Sequence, residues 1–222
     1  MSHPRTAFEW AIYADATFAG LSTLIPIIGV DWLFEQIFRR RMPQSIAEYR
    51  NHKLLPFAKD HLNKSDAGCL KTLLMLPLIL TIGLLKKLSR KILYFLTIKE
   101  AIDQINYYWH RAFLIDYMLS VGHLDNEEST RIARIAMDEV LEESVVSPLL
   151  QLAEQVVKRT RHIFRTLRGA RKGTEDDVVA QKKSLMIERW GEFEAYFETI
   201  AARYDQAFQI ISNRQVIEVT PQ

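Results

Sequence analysis

The sequence predicts an all-α fold, a multi-helix bundle that includes a C-terminal antiparallel helical hairpin. Apolar residues recur at spacings of three and four along most of the 222 residues, which is the period of helices with one buried face. Strict two-residue alternation, which would indicate strands, is not sustained anywhere. Glycine and proline number only eight and seven, so long helices with few breaks are expected.

The composition is typical of a folded protein. Hydrophobic residues make up 48% of the chain and charged residues 25%. The single cysteine, Cys69, excludes an internal disulfide and a cysteine-based zinc site, and it indicates a reducing compartment. The N-terminus carries Glu9 and Asp15 and lacks the basic start and apolar stretch of a signal peptide, so the predicted localisation is cytoplasmic.

Residues 1–124 form the first predicted region, which is apolar and basic. Proline and glycine divide its periodic pattern into several helices, because proline cannot continue the hydrogen-bond ladder of a helix. Ser45 is placed to cap a new helix after the break at Pro43. The predicted helices run to Phe18, over 31–42, over 45–51, and over 67–120, the last interrupted or kinked at Pro77 and at Gly83.

The second predicted region, residues 125–222, is a charged helical hairpin region packed on the first. Gly122 is placed to end a helix, and Asp125 with Glu128 resembles the capping box that starts one. Ser147 and Pro148 start another helix, which Gly169 ends. The connection to the next helix, capped by Thr174, is short, and this predicts two antiparallel neighbours.

The last helix has the most regular apolar spacing in the chain. Its large side chains need a partner helix along the whole length, because each stabilises the fold by about 1.5 to 3 kcal/mol when buried. The preceding helix offers part of that seam, and either the N-terminal region or a second copy of the chain completes it. The seam residues are Met186, Trp190, Phe193, Phe197, Ile200, Tyr204, Ala207 and Ile211.

Two short apolar segments are the main functional clue. Leu73–Leu85 holds no charge, and as a helix it would be about 20 Å long, too short for a hydrocarbon core of roughly 30 Å. Leu21–Val30 is built alike, with one proline and one glycine, and both segments lead to basic clusters. Such segments either form the buried centre of a bundle or insert shallowly into a membrane with the bases at the headgroups. The residues expected to insert are Leu24, Ile25, Pro26, Ile27, Ile28, Leu76, Pro77, Leu78 and Ile79, and the bases are Arg39, Arg40, Arg41, Lys86, Lys87, Arg90 and Lys91.

A second basic cluster lies in residues 158–172, which hold seven bases and no acid. Four of them, Arg161, Arg165, Arg168 and Lys172, share one helix face and are predicted to contact anions such as phosphates. Nucleic acid is disfavoured as the partner, because no nucleic-acid-binding signature is present and the neighbouring helices are acidic.

The sequence carries none of the common catalytic motifs, and no catalytic, cofactor-binding or metal-ligating residues are predicted. His110 and Asp116, the best polar pair, are six residues apart and lie on different faces of a helix. The sequence therefore favours a non-enzymatic protein without a cofactor, attached peripherally to the inner face of a membrane. Its expected partners are an anionic lipid surface and a protein partner or second copy. The alternative is a soluble helical adaptor or assembly subunit whose apolar segments lie in its own core.

Overall fold

The computed structural model describes residues 5–25, 30–64, 90–169, 186–187 and 189–219, of which 90–95, 161–169 and 215–219 are described as backbone only. The described residues form α-helices and short 3₁₀ turns and contain no strand, so the all-α prediction is confirmed. The helices are α1 (Trp10–Leu21), α2 (Val30–Tyr49), α3 (Pro56–Asn63), α4 (Arg90–Ser120), α5 (Glu127–Glu143), α6 (Leu149–Gly169) and α7 (Glu194–Val219).

Helices α1, α2 and α4 pack together, and α1 runs antiparallel to the other two. Near the middle of α1, the Thr17 hydroxyl accepts a hydrogen bond of 3.0 Å from the indole N–H of Trp109 on α4. One turn later, Gly20 lies against the backbone of Ile105. The rings of Phe18 on α1 and Phe38 on α2 have centroids 5.4 Å apart. The absence of a side chain at Gly20 lets α1 and α4 approach this closely.

Helix α2 continues through Pro43, which corrects the predicted break at that residue. Pro43 costs the helix one backbone hydrogen bond, but it is buried with Met42, Ile46 and Ala47 in the hydrophobic core. Burial of this apolar face offsets the lost bond. The Ser45 hydroxyl donates to a carboxylate oxygen of Asp15 at 2.7 Å instead of capping a new helix.

Two arginines hold the C-terminal end of α3. The guanidinium of Arg111, which is fully buried on α4, donates to the carbonyl of Leu62 at 2.5 Å. Arg134 on α5 donates to the carbonyl of His61 at 3.3 Å. These carbonyls have no partner within the helix, and the helix dipole is negative at that end, so cations stabilise it.

The connection between α4 and α5 matches the predicted boundary in part. Gly122 adopts a positive φ of 76° just after α4, a conformation that favours glycine. The N-cap of α5 is Asn126, whose side-chain oxygen accepts the N–H of Ser129 at 2.8 Å. The predicted cap at Asp125 is therefore wrong by one residue.

The seam of the last helix is buried within the chain. Seven of its eight predicted residues, from Met186 to Ala207, are buried, and Ile211 packs partly against the same core. Trp190 contacts both Tyr13 and Trp109, so the N-terminal region supplies part of the seam. The closest neighbour of α7 is α5, whereas the preceding helix α6 packs mainly on α4. The predicted short connection before the last helix falls in 170–185, outside the described residues.

Candidate functional site

Both predicted apolar segments join the described helices at the same end of the bundle. The first lies between the end of α1 and the start of α2, and the second precedes the start of α4. Because α1 is antiparallel to α2 and α4, the C-terminus of α1 and the N-termini of α2 and α4 lie at the same end of the bundle. Helix α4 extends furthest, since residues 90–104 precede the level at which Ile105 meets Gly20. We refer to this part of the molecule as the apolar end.

Helix α2 exposes several large apolar side chains close together at the apolar end. Four large side chains in its first two turns are between 42% and 53% exposed: Trp32, Leu33, Phe34 and Ile37. Isolated exposed apolar residues are ordinary on protein surfaces, but neighbouring ones indicate an interaction site. We refer to these four residues as the α2 patch.

The α2 patch was not among the residues predicted to insert. Its signal is present in the sequence, because residues 32–38 hold five large apolar side chains, more than one face of a helix can bury. In the structure Phe38 packs on the core, and the four residues of the α2 patch stay largely exposed.

Two of the predicted insertion residues lie within the described part of the chain. Leu24 forms part of a 3₁₀ turn and packs against the hydrophobic core, so less of its surface faces outward than predicted. Ile25 is half-buried, and its N–H donates to the carbonyl of Ser22 at 2.9 Å. The remaining predicted insertion residues, Pro26, Ile27, Ile28, Leu76, Pro77, Leu78 and Ile79, lie outside the described residues.

The three arginines of α2 have different surroundings. Arg41 is exposed, but its Nε donates to Asp15 at 3.2 Å, and that carboxylate is buried. Arg39 is half-buried and lines a groove between α2, α4 and α5. Arg40 is exposed and lines a shallow pocket beside α3. The predicted cluster is therefore divided between an ion pair with a buried carboxylate and two surfaces.

For most of the other predicted anion-contacting bases, the side chain lies outside the described part of the structure. Lys86, Lys87 and Lys172 lie outside the described residues. Arg90 and Lys91 belong to the first turn of α4, and Arg161, Arg165 and Arg168 to the second half of α6, with only their backbone described. Their predicted contacts with anions remain predictions.

Carboxylates gather beside the α2 patch, which the sequence did not predict. Glu100 on α4 faces Asp31 and Glu35 of α2 and Asp103 of its own helix. The pKa of Glu100 is raised, first by partial burial and then by the negative charge of these three neighbours. The sequence did not predict this cluster of carboxylates because residues 31–35 and 100–103 are distant along the chain and meet only when α2 packs on α4.

The structure separates His110 from Asp116, as the sequence predicted. The imidazole of His110 is buried between the carbonyl of Asn106, at 2.7 Å, and the hydroxyl of Tyr196, at 2.8 Å. Burial lowers the pKa of His110 to about 4, so this side chain is neutral at pH 7. Asp116 pairs with Arg50 through two hydrogen bonds of 2.7 and 2.8 Å. Each group thus has its own structural partners, and the two form no acid–base pair.

The described residues contain neither a metal-binding cluster nor a membrane-spanning helix. Among the described residues, no three His, Cys, Asp or Glu side chains converge as metal ligands. None of the described helices has a stretch that is long and apolar enough to cross a bilayer. The chain matches no protein-family model, no curated protein and no solved structure.

Proposed function

We propose that this protein is a non-enzymatic peripheral membrane protein that attaches to lipid through its apolar end. The observation that carries the proposal is the α2 patch, which exposes four large apolar side chains at the end of the bundle that holds the C-terminus of α1 and the N-termini of α2 and α4. Full burial of such a side chain is worth about 1.5 to 3 kcal/mol, so burying the exposed half of four contributes roughly 4 kcal/mol. Contact of this size supports reversible attachment rather than permanent insertion.

Electrostatic attraction to anionic lipid is a smaller contribution in this proposal. Residues 35–100 hold thirteen bases against five acids. The carboxylates of Asp31, Glu35 and Glu100 lie beside the α2 patch and oppose an anionic surface. We therefore expect binding to neutral vesicles, strengthened moderately by anionic lipid. In a cell, the proposed location is the cytoplasmic face of a membrane.

The test is co-sedimentation of the full chain with vesicles of neutral phosphatidylcholine and with vesicles containing added phosphatidylserine. We expect the protein in the vesicle pellet, and we expect the double substitution Leu33→Ser/Ile37→Ser to move it to the supernatant. The matched control is Ile135→Ser/Ile210→Ser, which removes two similarly exposed isoleucines from α5 and α7, at 44% and 42% exposed. Equal loss of binding in both variants, or no binding by the unchanged protein, would contradict the proposal.

A second candidate is a helical adaptor or assembly subunit whose apolar segments lie in its own core. The packing of Leu24 against the core favours it, because this residue of the first segment is already partly internal. This candidate predicts that the protein stays in the supernatant with both kinds of vesicle.

A further inference from the structure

A long groove lies between α2, α4 and α5, next to the apolar end. It has a volume of about 840 Å³. Along α4 its lining runs from Leu96 to Tyr108, a span of about 18 Å at 1.5 Å per residue. Along α5 it runs from Arg134 to Val145. The groove is thus about as long as three turns of a helix, and helices α2, α4 and α5 line its sides.

The floor and rim of the groove are partly apolar. Leu96 is 51% exposed and Tyr107 is 36% exposed on α4, and Val145 is 66% exposed after the end of α5. Leu141 is buried below them. Leu96 and Tyr107 are eleven residues apart, so they lie on the same face of α4 about three turns apart. Such spacing matches the apolar stripe of one amphipathic helix.

Charge in the groove is mostly negative. Five of its lining residues are acidic and three are basic. Arg134 is paired with Asp138, and Glu35 accepts the Tyr108 hydroxyl at 2.5 Å. Glu100, Asp103 and Glu142 have no hydrogen-bond or ion-pair partner among the described residues. These three carboxylates stand beside apolar side chains, and only Arg39 and Lys99 oppose them in the lining.

We propose that this groove is a docking site for a basic amphipathic helix of a partner protein. The apolar face of that helix would cover Leu96, Tyr107 and Val145, and its lysines or arginines would pair with Glu100, Asp103 and Glu142. Charge complementarity selects this occupant, because an acidic helix or an anionic lipid would be repelled by the same carboxylates. Ion pairs at the rim then set orientation and the rate of encounter, while apolar contact supplies most of the affinity.

The groove lies beside the proposed lipid contact but does not depend on it, and its test uses no lipid. The probe is a fluorescently labelled helical peptide of leucine and lysine, about 12 residues long to match the groove, with its leucines on one face. Fluorescence anisotropy measures its binding to the full chain in solution. A peptide with glutamate in place of lysine serves as the second probe.

We expect the lysine peptide to bind and the glutamate peptide not to bind. Glu100→Gln/Asp103→Asn should weaken binding about five-fold, from two exposed ion pairs of about 0.5 kcal/mol each. Leu96→Ser should weaken it further by removing apolar contact. The matched control is Glu127→Gln/Glu128→Gln, which removes two exposed acids from the first turn of α5, at the far end from Glu142. Equal weakening by both acid variants would show a general charge effect and overturn the proposal, as would no binding of the lysine peptide.

Discussion

Substitution of Gly20 by alanine tests the close packing that sets the geometry of the bundle. A β-carbon at this position would lie 2.5 Å from Cγ1, 2.6 Å from N and 2.7 Å from Cα of Ile105. Ordinary contact begins near 3.4 Å, so α1 and α4 would have to separate by nearly 1 Å. Overpacking of this kind costs about 1 to 3 kcal/mol, and the better helix propensity of alanine returns up to about 1 kcal/mol.

We therefore expect Gly20→Ala to lower the free energy of unfolding by about 1 to 2 kcal/mol, a fall in Tm of roughly 3 to 6 °C. The measurements are urea unfolding followed by circular dichroism and a thermal scan. Gly191→Ala is the matched control, because a β-carbon there meets no atom within 4 Å. It should leave stability unchanged or raise it slightly. If Gly20→Ala were as stable as the unchanged protein, the close approach of α1 to α4 would be refuted.

Two further predictions concern buried polar groups. Asp116→Asn should lower the free energy of unfolding, measured in urea, by about 2 to 3 kcal/mol, because it removes the charge that pairs bidentately with Arg50. The loss is limited because Glu9 still pairs with Arg50 at 2.6 Å. A loss below about 0.5 kcal/mol would show that the pair is not formed in solution. Burial lowers the pKa of His110 to about 4, from about 6.5 when unfolded, so the unfolded chain binds more protons between these values. The contribution of neutral His110 to the free energy of unfolding is fully present above about pH 6.5. It falls by about 3 kcal/mol as the pH drops through 4. His110→Gln should flatten this part of the stability–pH curve, and an unchanged slope would contradict the assignment.

The helical pattern predicted most of the secondary structure because it depends on local spacing. The seam of the last helix was predicted residue by residue, since any helix with that spacing must bury one face. The predicted helix break at Pro43 was wrong because of tertiary packing. The buried face formed by Met42, Ile46 and Ala47 stabilises the helix across the proline, and the sequence does not show in advance how deeply that face is buried.

The surfaces at the apolar end were harder to predict than the helices. The three arginines of α2 were expected to act together, but Arg41, although exposed, pairs with the buried carboxylate of Asp15. The α2 patch was missed because the spacing of residues 32–38 indicates a helix without showing which side chains the core has room for. The groove depends on α2, α4 and α5 lying side by side, which requires contacts between residues far apart in the chain.

Fluorescence of Trp32 offers the most direct test of the proposed lipid contact. Trp32 is 53% exposed, whereas Trp109 and Trp190 are buried. Trp10 is partly buried and lies at the start of α1, the end of that helix opposite to the apolar end, so a change at the apolar end should dominate the change in emission. We predict that adding vesicles shifts the emission to shorter wavelength and that lipids brominated near the headgroup quench it. The substitution Trp32→Phe should abolish most of both signals while co-sedimentation with vesicles persists. An emission spectrum unaffected by vesicles, or quenching that is the same with and without Trp32, would contradict attachment through the α2 patch.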